Sequence, residues 1–123
     1  MCSSDLGAAY LLPRVVGMGR ATELLMLGDK VSAERAMEIG LATDVVPGDQ
    51  LMSRADSLAR RLADGPALAY AATKTLISRE LDMDMASAIE FDASTQALLM
   101  LAEDHREFYE AWSQKRPPQW KGR

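Results

Sequence analysis

A mainly α-helical protein is what this sequence predicts, and three observations carry that prediction. Ala, Leu and eight Met residues are prominent, while aromatics make up only 6% of the chain. Such a mixture favours helices over packed strands. Gly and Pro divide the chain into short pieces whose apolar residues recur at helical spacing. Only one stretch, residues 43–46, reads as a strand.

Gly17 and Gly19 precede the first clear helical run, in which Ala21, Leu24, Leu25 and Gly28 share a face. Gly28-Asp29 ends it, and Lys30-Val31 leaves room for a brief extended step. Ser32 is a good N-cap, with Glu34 in the first turn near the positive helix end. This helix is about two turns long and stops at Gly40, a residue suited to the left-handed position beyond a helix end. Thr43-Asp44-Val45-Val46 is the expected strand, closed by Pro47-Gly48.

Asp49 is placed to cap an amphipathic helix in which Leu51, Ala55, Leu58, Ala59 and Leu62 share a face. Asp64-Gly65-Pro66 breaks it, and Pro66 suits the first turn of the next helix. That helix is expected to turn Leu68, Ala72, Leu76 and Ile77 inward and to end before Asp82. Asp84 can cap a longer helix with Ile89, Ala93, Ala97, Met100 and Leu101 at helical spacing. Asp104 and Glu107 fit a capping box, and the helix they open carries Phe108, Ala111 and Trp112 on one side. Pro117-Pro118 ends it, because neither proline donates an N–H. Six or seven helices result.

At 123 residues there is material for one small domain. The net charge of −4 argues against general nucleic-acid binding, and no predicted helix carries a basic recognition face. No apolar run reaches the roughly 20 residues of a membrane span, and Cys2 has no second cysteine to pair with. A cytoplasmic location is the expectation. One His and one Cys make no metal site.

Three stretches go beyond composition. Gly7-Ala-Ala-Tyr-Leu-Leu-Pro-Arg-Val-Val-Gly is followed by Arg20-Ala-Thr-Glu-Leu-Leu-Met-Leu-Gly-Asp. Val31-Ser-Ala-Glu-Arg-Ala-Met-Glu-Ile-Gly-Leu-Ala-Thr-Asp-Val-Val-Pro comes next. Glu103-Asp-His-Arg-Glu and Ala111-Trp-Ser-Gln-Lys-Arg-Pro-Pro-Gln-Trp-Lys-Gly-Arg complete the set. In this order and spacing, with Ala71-Ala-Thr-Lys-Thr-Leu-Ile between, they resemble the C-terminal portion of the crotonase (enoyl-CoA hydratase/isomerase) superfamily.

The resemblance implies the helical C-terminal part of the α/β crotonase fold, whose helices cover the active site and build a trimer or dimer of trimers. The N-terminal βα spiral, which would hold two backbone N–H groups as an oxyanion hole, is missing from this reading. It also implies an acyl-CoA substrate handled through a stabilised enolate, with hydration of a 2-enoyl-CoA or double-bond isomerisation as outcomes. Leu-Leu-Pro-Arg, in place of the Gly-Thr-Gln of mainstream hydratases, leans towards isomerase-like members. No cofactor is implied beyond the coenzyme A of the substrate. With no Gly-rich oxyanion stretch, the isolated chain is expected to be inactive. A non-catalytic helical module that self-associates or binds a partner is the alternative.

By the same resemblance, Trp112 and Lys115 fall where an aromatic and a lysine reach the coenzyme A nucleotide of an adjacent subunit; the alternative is a core Trp112 and a Lys115 that supports the C-terminal end of its helix. An aromatic face can stack near adenine and an ammonium can meet a phosphate. Tyr10 and Leu11 fall near the acyl pocket. Asp5 matches a proton-shuttling carboxylate by position, although Ser4 stands where the family has Pro. Met1-Cys-Ser-Ser-Asp-Leu6 is also what a common sequencing adapter encodes when read in frame from a GTG start. Residues 1–6 are therefore expected to be a non-native leader, with 7–123 the crotonase-like region. His105 is expected to be a solvated surface histidine and Lys74 a structural one. Phe108 departs from the family's usual Gly and implies different local packing or an altered subunit contact.

Overall fold

A computed structural model describes residues 7–123. Asp5 and the expected leader lie outside the described residues. The chain divides into two compact units, one running to Leu51 and the other spanning Met52–Arg123.

In the first unit, α1 (Ala8–Val16), α2 (Met18–Leu27) and α3 (Ala33–Glu38) follow one another. The sequence reading did not predict α1, because Pro13 sits inside it. Pro13, the sixth residue of α1, removes the bond that would return to the Ala9 carbonyl, and the helix continues past it to Val16. Gly17 joins α1 to α2 with φ 85°, a conformation that glycine adopts without a Cβ penalty. Ser32 caps α3 as expected, its hydroxyl accepting from the Arg35 N–H at 3.2 Å. The core of this unit is Val16, Ala21 and Ile39, with Leu12 and Leu24 packed against it.

The expected strand at 43–46 does not form; no strand occurs among the described residues. Val45 and Val46 are half-buried in irregular chain. Strand geometry is stabilised by ladder bonds to a neighbour, and the described residues supply no neighbouring strand. A 3₁₀ turn at Gly48–Gln50 then leads into α4.

The second unit contains α4 (Leu51–Ala63, from Met52 onward), α5 (Ala67–Glu80), α6 (Met85–Leu99), α7 (Glu103–Ser113) and a C-terminal tail. Pro66 takes the N-cap position of α5 rather than its first turn. Asp84 caps α6 as expected, accepting from the N–H groups of Ala86 and Ser87 at 3.0 Å each.

The expected inward faces fare unevenly. On α5, Ala72 and Leu76 are half-buried, while Leu68 and Ile77 are exposed. On α6 the buried side is different from the expected one. Ala88, Phe91, Thr95 and Leu99 are half-buried, whereas Ile89, Ala93, Ala97, Met100 and Leu101 are exposed. Helix α6 has apolar residues around much of its circumference, so periodicity alone did not identify the side that meets α5. No residue of α4 is buried; its Leu58 and Leu62 are about half exposed, at 50% and 53%.

Candidate functional site

Helix α7 and its tail hold the densest polar structure of the second unit. The capping box expected of Asp104 and Glu107 does not form: Ala102 is the N-cap, and both carboxylates face the tail instead. Buried Asp104 accepts from the N–H groups of Lys121 (2.7 Å) and Gly122 (2.9 Å), while its own N–H donates to the Arg123 carbonyl (3.1 Å). Glu107 accepts from both terminal nitrogens of Arg116 and from the Gln119 N–H at 2.7 Å. The two prolines stiffen the segment that has to return, since each fixes its own φ.

Those donors make the Glu107 carboxylate easier to keep ionised. The Arg116 guanidinium, followed by the Gln119 N–H, holds its pKa down to about 2. Arg116 is correspondingly raised by its bond to Glu107. Fork-to-fork pairing of this kind fixes direction as well as charge.

Lys115 lies at the turn that this pairing closes. Its N–H donates to the Trp112 carbonyl (3.1 Å) and the Arg116 N–H to the Ala111 carbonyl (3.0 Å). Together these bonds make a Schellman end, in which the residue just past the cap is left-handed. Glycine usually fills that position, as Gly40 does after α3 with φ 79° and the equivalent bonds to Met37 and Ala36. Lys115 has φ 54° and is the one non-glycine with positive φ among the described residues. A side chain there costs about 1 kcal/mol relative to glycine.

The candidate residues fall into two groups. Trp112, which is 71% exposed, and Lys115 are joined through the backbone bond at the end of α7. Tyr10 and Leu11 are neighbours on α1 in the first unit, both exposed. The Arg14 guanidinium lies 3.6 Å from the Tyr10 ring centroid and donates to the Tyr10 carbonyl at 2.8 Å. His105 is exposed and lines an apolar cleft of about 220 Å³ together with Leu68, Leu99, Phe108 and Trp120. Phe108 stacks on Trp120, with centroids 6.5 Å apart and planes at 12°. The cleft is smaller than the roughly 300–1,000 Å³ of ligand pockets, and is better read as a packing seam.

Sequence reasoning missed a second carboxyl pair, Glu80 on α5 and Asp92 on α6. They line a groove with Leu76, Ile77, Ile89 and Leu99, and one Glu80 oxygen is buried without a donor. Burial and then the neighbouring Asp92 push the Glu80 pKa upward. The two residues sit 12 positions apart on different helices, which no local motif signals. Among the described residues no three His, Cys, Asp or Glu side chains are grouped to hold a metal ion, and no helix is long and apolar enough to cross a membrane.

Residues 2–123 match the model of the enoyl-CoA hydratase/isomerase family. The crystal structure of a Streptomyces coelicolor A3(2) protein assigned as an enoyl-CoA hydratase superposes with a TM-score of 0.94 at 60% identity. That match covers 98% of this chain and 44% of that one. The 1,2-epoxyphenylacetyl-CoA isomerase of Escherichia coli K12 is 35% identical over 97% of this chain and 45% of its own length. The 2,3-dehydroadipyl-CoA hydratase of the same organism is 31% identical, over 95% and 46% respectively. The chain thus spans a little under half the length of these relatives.

Proposed function

The chain belongs to the enoyl-CoA hydratase/isomerase family, and from that premise we propose that it serves as the helical cover and subunit-docking portion of an enzyme acting on acyl-CoA thioesters. The carrying observation is the match of residues 2–123 to the family, set against coverage of under half of the relatives. The enolate of the thioester would be held by backbone N–H donors in the part of the fold that these residues do not span. Fixed donors of that kind stabilise charge where it develops, and nothing in the described helices replaces them.

Within this reading, Trp112 and Lys115 meet the nucleotide of coenzyme A, the indole against adenine and the ammonium against a phosphate. The exposure of Trp112 and the presence of a lysine in a left-handed conformation that favours glycine support the assignment. Tyr10 and Leu11 line the acyl side, and the exposed apolar faces of α4 to α6 meet the remainder of the fold or other copies in a homo-oligomer, a trimer or dimer of trimers. The reaction is left as hydration or isomerisation, because a hydratase and an isomerase stand at comparable identity to this chain. Coenzyme A arrives as part of the substrate and no further cofactor is invoked. The location proposed is the cytoplasm.

A second reading, a self-associating module without catalysis, is favoured by those same exposed apolar residues, since such patches promote association. Turnover separates the two. This chain alone is expected to leave crotonyl-CoA and a 3-enoyl-CoA unchanged. Mixed with the portion of the Streptomyces coelicolor relative that it does not match, it should turn over one of them. Turnover by the chain alone would contradict the reading. An inactive, stable oligomer that the added portion leaves unaltered would favour the module.

A further inference from the structure

The left-handed backbone of Lys115 needs something to hold it, and Arg116 and Glu107 lie beside it. Arg116 is fixed by its N–H on the Ala111 carbonyl, by two guanidinium nitrogens on the Glu107 carboxylate, and by its Nε on Oε1 of Gln114, the cap of α7, at 2.8 Å. Glu107 in turn takes the Gln119 N–H, so the chain is gripped on both sides of Pro117 and Pro118. Lys115 lies between the helix cap, Gln114, and this grip. Gly40 makes the same turn after α3 with no such clamp, because glycine enters positive φ unaided. A strained non-glycine residue persists only where its surroundings over-determine it.

We propose that Glu107 and Arg116 are positioning residues for Lys115: their ion pair locks the left-handed turn from which the Lys115 ammonium reaches a phosphate of coenzyme A. The inference rests on the reading of Lys115 as a phosphate contact, and adds the device that presents it. A lysine on a relaxed tail would sweep many positions, whereas one anchored at both neighbours loses less freedom on binding. The buried Asp104, which holds Lys121 and Gly122, anchors the far end of the same tail and keeps the grip in register.

The test uses the 123-residue chain by nuclear magnetic resonance, with coenzyme A as the titrated ligand. The H–N–Hα coupling and Cα shift of Lys115 report its backbone, and the ligand-induced shift of its amide reports affinity. Glu107→Gln and Arg116→Lys should each abolish the left-handed signature of Lys115 and weaken coenzyme A binding, by about fivefold, while α7 amides stay protected. Lys115→Glu should weaken binding by about tenfold with the turn intact.

Retention of the left-handed signature in both clamp variants would overturn the inference. So would its loss only together with α7, because the pair would then be holding the helix and not the turn. Unchanged coenzyme A affinity in Lys115→Glu would mean instead that the phosphate reading itself has failed.

Discussion

The end of α7 and the helices α4 to α6 belong to the same unit yet finish their surfaces in opposite ways. Around α7, two carboxylates reach back to N–H groups and a guanidinium of the tail, and Trp120 packs on Phe108. The polar bonds that close this region come from residues 102–123, while Leu68 and Leu99 share its apolar cleft. Along α4 to α6 the apolar residues outnumber the surfaces available to cover them. Leu98 is 71% exposed on α6 and Ile77 63% exposed on α5. Exposed apolar faces of that extent are what a helix presents when another surface is meant to lie on it. The difference teaches that local polar closure can be complete within a piece of a fold while hydrophobic closure is not.

Substitutions can break or sharpen that contrast. The largest expected effect is at the closed end. Asp104→Ala removes the acceptor of two tail N–H groups and should cost about 2–3 kcal/mol, read by urea unfolding of this chain. A loss under half of that would show that the tail is held mainly by Trp120.

Acid should act on the same region through Glu107. Its folded pKa of about 2 lies below its ordinary value of 4.5, so the stabilisation is fully present above pH 4.5. It is lost as pH falls from about 4.5 towards 2, and tail amides should begin to exchange faster across that window. Glu107→Gln should flatten this dependence. Glu80 has the opposite sign: its raised pKa makes the folded chain bind the proton more tightly, so stability should decline as pH rises above 4.5 through the raised value. Glu80→Gln should remove that decline.

A smaller gain is expected from Lys115→Gly, which relieves the left-handed strain and should raise stability by about 0.5–1 kcal/mol. The smallest effect lies on the open face. Leu98→Lys should change the stability of this chain by no more than about 0.5 kcal/mol, since little is buried there to lose, while sedimentation should show weaker self-association. A loss of 2 kcal/mol or more at Leu98 would erase the contrast with Asp104.

Helix positions were largely legible in the sequence because caps and breakers are local. Ser32, Gly28, Gly40 and Asp84 each do what their side chains or φ values allow. Helix α1 was hidden by Pro13, and the strand at 43–46 failed because its partner would have to come from elsewhere. The packed side of α6 was misread for a related reason: residues at 88, 91, 95 and 99 and those at 89, 93, 97 and 100 are comparably apolar, and only the contact with α5 decides between them.

At the site, Trp112 and Lys115 were found through a resemblance. The clamp that shapes their turn was invisible, because Glu107 and Asp104 looked like helix-start residues. Their partners lie 9 to 18 positions downstream, beyond any capping pattern.

Amide hydrogen exchange on this chain tests the central contrast most directly. The N–H groups of Gln119, Lys121 and Gly122 should be slowed by their carboxylate acceptors, while those of α4, with no buried residue, should exchange close to the unstructured rate. Protection of α4 equal to that of the tail would contradict the account, for it would mean that these helices need no surface from outside.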